Sequence, residues 1–136
     1  MMNYGLSGLR VLLVEDEPLL AWELELALAS AGAIVVGPAS TLQSAFALAR
    51  EEGLAAAVID YRLGQDEAAP LAALLYEQGI PFIIHTGHGT TGNVPWVSAP
   101  VVRKPANPDR IVQILEALVG RQAEQLQPAA ISGQSG

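Results

Sequence analysis

The chain has no cysteine and only one lysine, Lys104. Without cysteine there is no disulfide framework and no thiolate metal site. Basic residues are scarce, 7 against 14 acidic ones, for a net charge of −7. That balance argues against broad binding to nucleic acid phosphates, so no direct DNA binding is expected. Long apolar runs are missing too. Nothing approaches the roughly 20 residues of a membrane-spanning helix, and MMNYGLSGLR at the start has no apolar stretch resembling a signal peptide. The expected compartment is the cytoplasm, with no membrane contact.

What is present is a chain of 136 residues, 51% hydrophobic and 15% charged. That suits one globular domain with a real core. Short apolar runs alternate with longer amphipathic ones. RVLLVED (10–16) reads as a strand. Pro18 opens a helix that glycine stops at Gly32. AIVVGPA (33–39) is a second strand. Ser40 or Thr41 caps a helix from Leu42 to about Glu52, closed by Gly53. AAAVIDY (55–61) is a third strand, RLGQDE a loop, and Ala68 to Gln78 a helix. PFIIHTG (81–87) and APVVRKP (99–105) are the fourth and fifth strands. A last helix runs from Asn107 and Pro108 to about Val119, with Gly120 as its stop. HGTTGNVPWVSA (88–99) lacks helical periodicity, so a fourth helix between the last two strands should be short or absent.

This alternation predicts an α/β fold: a doubly wound, five-stranded parallel sheet of order 2-1-3-4-5, flavodoxin-like, with both faces covered. The expected limits are an extension over 1–8, a domain over 9–120 and a disordered tail over 121–136.

Function should then gather at the carboxyl ends of the strands. The first strand ends in Glu15 and Asp16, the third in Asp60, the fourth in Thr86 and the fifth in Lys104. Three carboxylates, a hydroxyl and an ammonium would share one pocket. Hard carboxylate oxygens suit Mg²⁺, which often bridges to a phosphoryl group. Glu15, Asp16 and Asp60 would supply ligands, and the backbone carbonyl of Arg62 another. Asp60 is then a nucleophile able to form an acyl phosphate. Lys104 and the metal would stabilise the charge that develops in transfer.

VLLVEDEP, VIDYRLG, HTG and VVRKP, in this order and at these strand ends, resemble the response-regulator receiver domain of two-component signalling. The resemblance covers residues 9–120. It implies a phosphoacceptor and not a turnover enzyme. Asp60 would take phosphate from a histidine kinase or a histidine phosphotransfer protein, with Glu15 and Asp16 binding Mg²⁺. Thr86 would be the switch hydroxyl, and Lys104 would contact the phosphoryl group. Arg62 and His88 occupy positions that border the phosphoryl site in this family and tune its lifetime. The switch position on the fifth strand, usually aromatic, is Val101. No output domain is expected after the receiver. The Thr-Gly pair after the fourth strand resembles a subgroup of stand-alone receivers.

Other readings compete at single residues. Glu15, Asp16 and Glu17 alone would suit a solvated strand end, and Asp60 a turn. His85 and His88 invite zinc, yet two histidines without a third ligand are a weak signal, and strand alternation turns His85 away from Thr86 into the packing. On the first helix, Leu20, Leu24, Ala27 and Leu28 form the stripe that should face the sheet. Leu19, Trp22 and Leu26 form another, which would suit a partner helix such as that of a kinase. A degenerate receiver acting as an interaction module and a small Mg²⁺-dependent phosphatase-like enzyme are the remaining alternatives. The second would need an acid two residues beyond Asp60, where Arg62 stands.

Overall fold

The structure is a computed structural model that describes residues 5–87 and 99–126. Its strands are β1 (Arg10–Val14), β2 (Ile34–Ala39), β3 (Leu54–Ile59), β4 (Arg62–Leu63), β5 (Asp66–Glu67), β6 (Phe82–Thr86) and β7 (Val101–Arg103). Its helices are α1 (Pro18–Ser30), α2 (Leu42–Ala49), α3 (Ala69–Glu77) and α4 (Pro108–Leu126). Five strands form one parallel sheet in the order β2-β1-β3-β6-β7. This is the doubly wound order expected from the sequence, with β6 and β7 as the fourth and fifth strands of the alternation.

Pleating divides each strand between two cores. Leu12, Val14, Ala57, Ile59, Phe82 and Ile84 point to the face covered by α2 and α3, where Ala45, Leu71 and Leu75 meet them. Val11, Leu13, Ala56, Val58 and Ile83 point to the other face, against Leu24 and Leu28 of α1 and Ile111 and Leu115 of α4. Burial on both sides is why these strands read as unbroken apolar runs.

Three local features differ from the sequence reading. Residues 62–67, expected as loop, fold into an antiparallel ribbon in which Arg62 faces Glu67 and Leu63 faces Asp66. Gly64 has φ +61°, which the first residue of such a two-residue turn requires. Within the expected extension, residues 5–8 join the domain: Leu6 is fully buried in the α1–α4 core, and the Gly8 N–H donates to Gly32 O at 2.8 Å. Finally, Gly120 does not stop α4, which continues to Leu126, so residues 121–126 are helix and not tail. A mid-helix glycine costs only about 1 kcal/mol. Leu118 and Val119 pack on the core beside it, and Gln122 Nε2 donates to Gly79 O at 2.6 Å one turn on. The segment expected to lack a fourth helix (88–98), His88 within it, and residues 127–136 of the expected tail lie outside the described residues.

Candidate functional site

Hydrogen bonds beyond the strand ends set the site in place. The Glu15 N–H donates to Ala39 O at 2.9 Å, the Asp60 N–H to Val14 O at 2.9 Å, and the Lys104 N–H to Thr86 O at 2.8 Å. Each carries the parallel ladder one residue past its strand, so the side chains leave from fixed backbone. The order β2-β1-β3 makes the gap between β1 and β3 the switch point of the sheet, where such folds bind ligands. Glu15, Asp60 and Thr86 are all buried there.

Glu15, Asp16 and Asp60 each present a carboxylate oxygen within 4.8 Å of the others. Lys104 Nζ lies 2.9 Å from Asp60 Oδ2, 3.1 Å from Glu15 Oε2 and 3.9 Å from Glu17 Oε1. The Arg62 N–H donates to Asp60 Oδ1 at 3.2 Å, and the Gly64 N–H to Asp16 Oδ2 at 2.9 Å. A pocket of about 220 Å³ opens over this group, lined by Asp16, Glu17, Asp60, Arg62, Thr86 and Lys104 among others. Of the five residues that the sequence placed at strand ends, Asp16, Asp60, Thr86 and Lys104 line this pocket, and Glu15 lies buried behind it against Lys104.

One ammonium does not balance these acids, and Glu15 carries the consequence. Burial, and then the charge of Asp60, push its carboxyl from 4.5 up to about 7, although the Lys104 hydrogen bond pulls the other way. Glu15 Oε1 is buried with no hydrogen-bond partner. An orphaned hard oxygen beside two more carboxylates is the donor set a small divalent cation fits. For Lys104, burial lowers the ammonium, but the hydrogen bonds and charges of Asp60 and Glu15 outweigh it, and the net shift is upward.

The Glu15 shift fixes the sign of a pH effect. The folded protein keeps a proton that the unfolded chain releases between about pH 4.5 and 7. Metal-free stability should therefore be highest below that window and fall as pH rises through it. Melting temperatures in chelator across this range should show the decline, and Glu15→Gln should flatten it. An unchanged slope in that variant would put the proton on another group.

The remaining sequence candidates fall apart from this cluster. His85 is buried on the core side, as alternation predicts, and neither ring nitrogen has a partner. Burial first, then the Lys104 charge, lower it to about 4 against an opposing pull from Asp60, so it is neutral and apolar in role. It joins no metal-competent group among the described residues. Val101 opens β7 opposite Ile84 and is 44% exposed. Leu20, Ala21, Leu24, Ala27 and Leu28 turn α1 toward the core, whereas Leu19, Trp22 and Leu26 stay in solvent at 67%, 57% and 49% exposure. The role of the β4–β5 ribbon in holding Asp16 and Arg62 was missed. The Gly-Gln pair at its turn, between short runs, was the signal that could have found it.

Solved structures settle the family. The chain is 32% identical to SdrG from Sphingomonas melonis Fr1, covering 87% of this chain and 98% of that one at a TM-score of 0.70. It is also 32% identical to the response regulator PhyR from Brucella abortus, with 88% of this chain covered and a TM-score of 0.71. The chain belongs to the response-regulator receiver family. It spans about half of PhyR, 51% of its length. A third match, 27% identical with 86% and 72% coverage and a TM-score of 0.71, is a response regulator protein from Burkholderia pseudomallei solved with a phosphorylated aspartic acid, a calcium ion and citrate. No family model and no curated protein matches the chain. Among the described residues, no helix is long and apolar enough to cross a membrane.

Proposed function

We propose that this receiver takes a phosphoryl group from the phosphohistidine of a kinase or phosphotransfer protein onto Asp60, and signals through protein contacts. The observation that carries the reading is Lys104 Nζ at 2.9 Å from Asp60 inside a cluster of three carboxylates. An Asp60 oxygen attacks phosphorus; a P–O bond forms, the P–N bond breaks, and the imidazole leaves. Lys104 Nζ donates to Asp60 Oδ2 and the Arg62 N–H to Oδ1, which together orient the nucleophile. Thr86, at the end of β6, borders the space above. Glu15, Asp16, Asp60 and the Arg62 carbonyl would hold Mg²⁺, which when bound neutralises charge on the phosphoryl oxygens. The phosphorylated aspartic acid of the Burkholderia relative supports the same reading. Intact mass after incubation with acetyl phosphate and Mg²⁺ tests it: one base-labile phosphoryl group is expected, and its absence would leave an unphosphorylated interaction module as the reading. A phosphatase-like enzyme is disfavoured because the residue two beyond Asp60 is an arginine.

The exposed stripe of Leu19, Trp22 and Leu26 begins one turn from the pocket and is the surface proposed for kinase docking. Trp22→Ala should slow transfer from a histidine kinase about tenfold or more, as loss of an aromatic anchor does, while transfer from acetyl phosphate stays within about twofold. Equal losses with both donors would mean that Trp22 supports the fold.

A further inference from the structure

Two cations border the phosphoryl pocket, Lys104 and Arg62, and they are held differently. Lys104 is mostly buried and committed to Glu15 and Asp60, with Glu17 nearby. Arg62 is half exposed, and among the described residues its guanidinium has one carboxylate, Glu67, with Nη2 at 3.4 Å from Oε2. The ribbon dictates this pair. Leu63 is buried in the α2–α3 core, so alternation turns Arg62 outward, and antiparallel register sets Glu67 directly opposite it. The other Glu67 oxygen, Oε1, is within 3.5 Å of the Tyr61 hydroxyl, so the carboxylate is oriented from two sides. The ribbon itself is anchored: the Ala68 N–H donates to Tyr61 O at 2.6 Å and the Gly64 N–H to Asp16 Oδ2 at 2.9 Å. The backbone of Arg62 is fixed while its guanidinium is held by a single solvent-exposed partner.

We propose that Glu67 is a positioning residue that latches the Arg62 guanidinium at the pocket rim and yields it to an incoming phosphoryl group. The inference rests on the phosphoacceptor reading above. A solvent-exposed pair of this kind is weak, and a guanidinium fits a phosphoryl group bidentately, so the exchange runs toward the phosphoryl oxygens once a donor arrives. Until then Glu67 keeps positive charge away from the metal-binding carboxylates. Its own negative charge also opposes an anionic donor. The latch therefore acts on donor binding more than on the transfer step.

Acetyl phosphate with Mg²⁺ is the probe. Glu67→Gln should lower its half-saturating concentration about two- to fivefold, with the maximal rate nearly unchanged and the melting temperature unmoved. In an Arg62→Gln background the same change should shrink to that of Glu77→Gln, an exposed acid at the end of α3 that serves as the charge control. An equal shift with and without Arg62 would overturn the latch, since Glu67 would then act only as bulk charge. No shift in either background would also overturn it. A wild-type chain that takes up no phosphoryl group would overturn the phosphoacceptor reading and the latch together. Phosphorylation of the wild type with either of the two former results would overturn the latch alone.

Discussion

Asp60→Ala is expected to take up no phosphoryl group from acetyl phosphate or from a histidine kinase, where the wild type takes up one. The expectation follows from position as much as from chemistry. Asp60 is the carboxylate at the centre of the cluster, with Lys104 on Oδ2 and the Arg62 N–H on Oδ1. Asp16 is engaged by Gly64 at the rim, and Glu15 holds a proton more readily than an ordinary carboxyl. Neither is equally prepared to replace the nucleophile. Lys104→Met should be nearly as severe, with the rate reduced about 10²-fold or more, the scale seen when one preorganised charge partner is lost. It would also leave buried carboxylates unpaired, which costs about 3–5 kcal/mol when one side of a buried pair is removed. The melting temperature of Lys104→Met in chelator must therefore be measured beside its rate. Phosphoryl uptake persisting in Asp60→Ala, read by intact mass, would remove Asp60 from its role.

These residues were legible because a parallel strand announces itself. VLLV and AAAVI are buried on both faces, so each run is apolar to its end and the first polar residue marks the rim, while in FIIHT alternation separates the buried His85 from Thr86 at the strand end. The single lysine completed the site without any knowledge of distance. What could not be read depends on depth and on short-range closure. Glu15, Asp16 and Glu17 are equivalent in sequence, yet Glu15 is buried, Asp16 half-buried and Glu17 exposed. Their depths go with links to distant segments, Glu15 to Ala39 of β2 and to Lys104, and Asp16 to Gly64, which the local sequence does not display. Leu6 carries no periodic signal, since a single side chain inserted between α1 and α4 has no repeat to reveal it. The β4–β5 ribbon has two residues per strand, too few for alternation to register. Gly120 misled because a glycine's cost in a helix is small against the packing of Leu118 and Val119 on one side of it. The second stripe of α1 was readable for the opposite reason: thirteen helical residues are enough to show that one core cannot bury both faces.

Mg²⁺ should raise the melting temperature of the wild type, and Asp16→Asn should abolish that response while making the metal-free protein more stable. Folding places three carboxylates within 4.8 Å, an arrangement the unfolded chain does not have. A cation that binds only the folded cluster stabilises it by mass action, by about 2.7 kcal/mol at a hundred times its dissociation constant. For a domain of roughly 100 residues, each kcal/mol moves the transition by about 4–8 °C, so the shift is well within the reach of thermal melts. Asp16 is the informative position. Its Oδ2 accepts from the Gly64 N–H, and an asparagine oxygen can accept the same bond, so the link between the β1–α1 turn and the ribbon survives substitution. What is lost is one negative charge. In chelator, that relieves repulsion on Glu15 and Asp60, and the melting temperature should rise. In Mg²⁺, one hard ligand is gone and the increment should vanish. Asp66→Asn, an exposed acid on β5, serves as control, with KCl matched to the same ionic strength. Its Mg²⁺ increment should equal that of the wild type. If Asp16→Asn keeps the wild-type increment, the cation binds away from this cluster. If its metal-free stability falls instead of rising, the charge of Asp16 contributes more through Gly64 than it costs through Glu15 and Asp60.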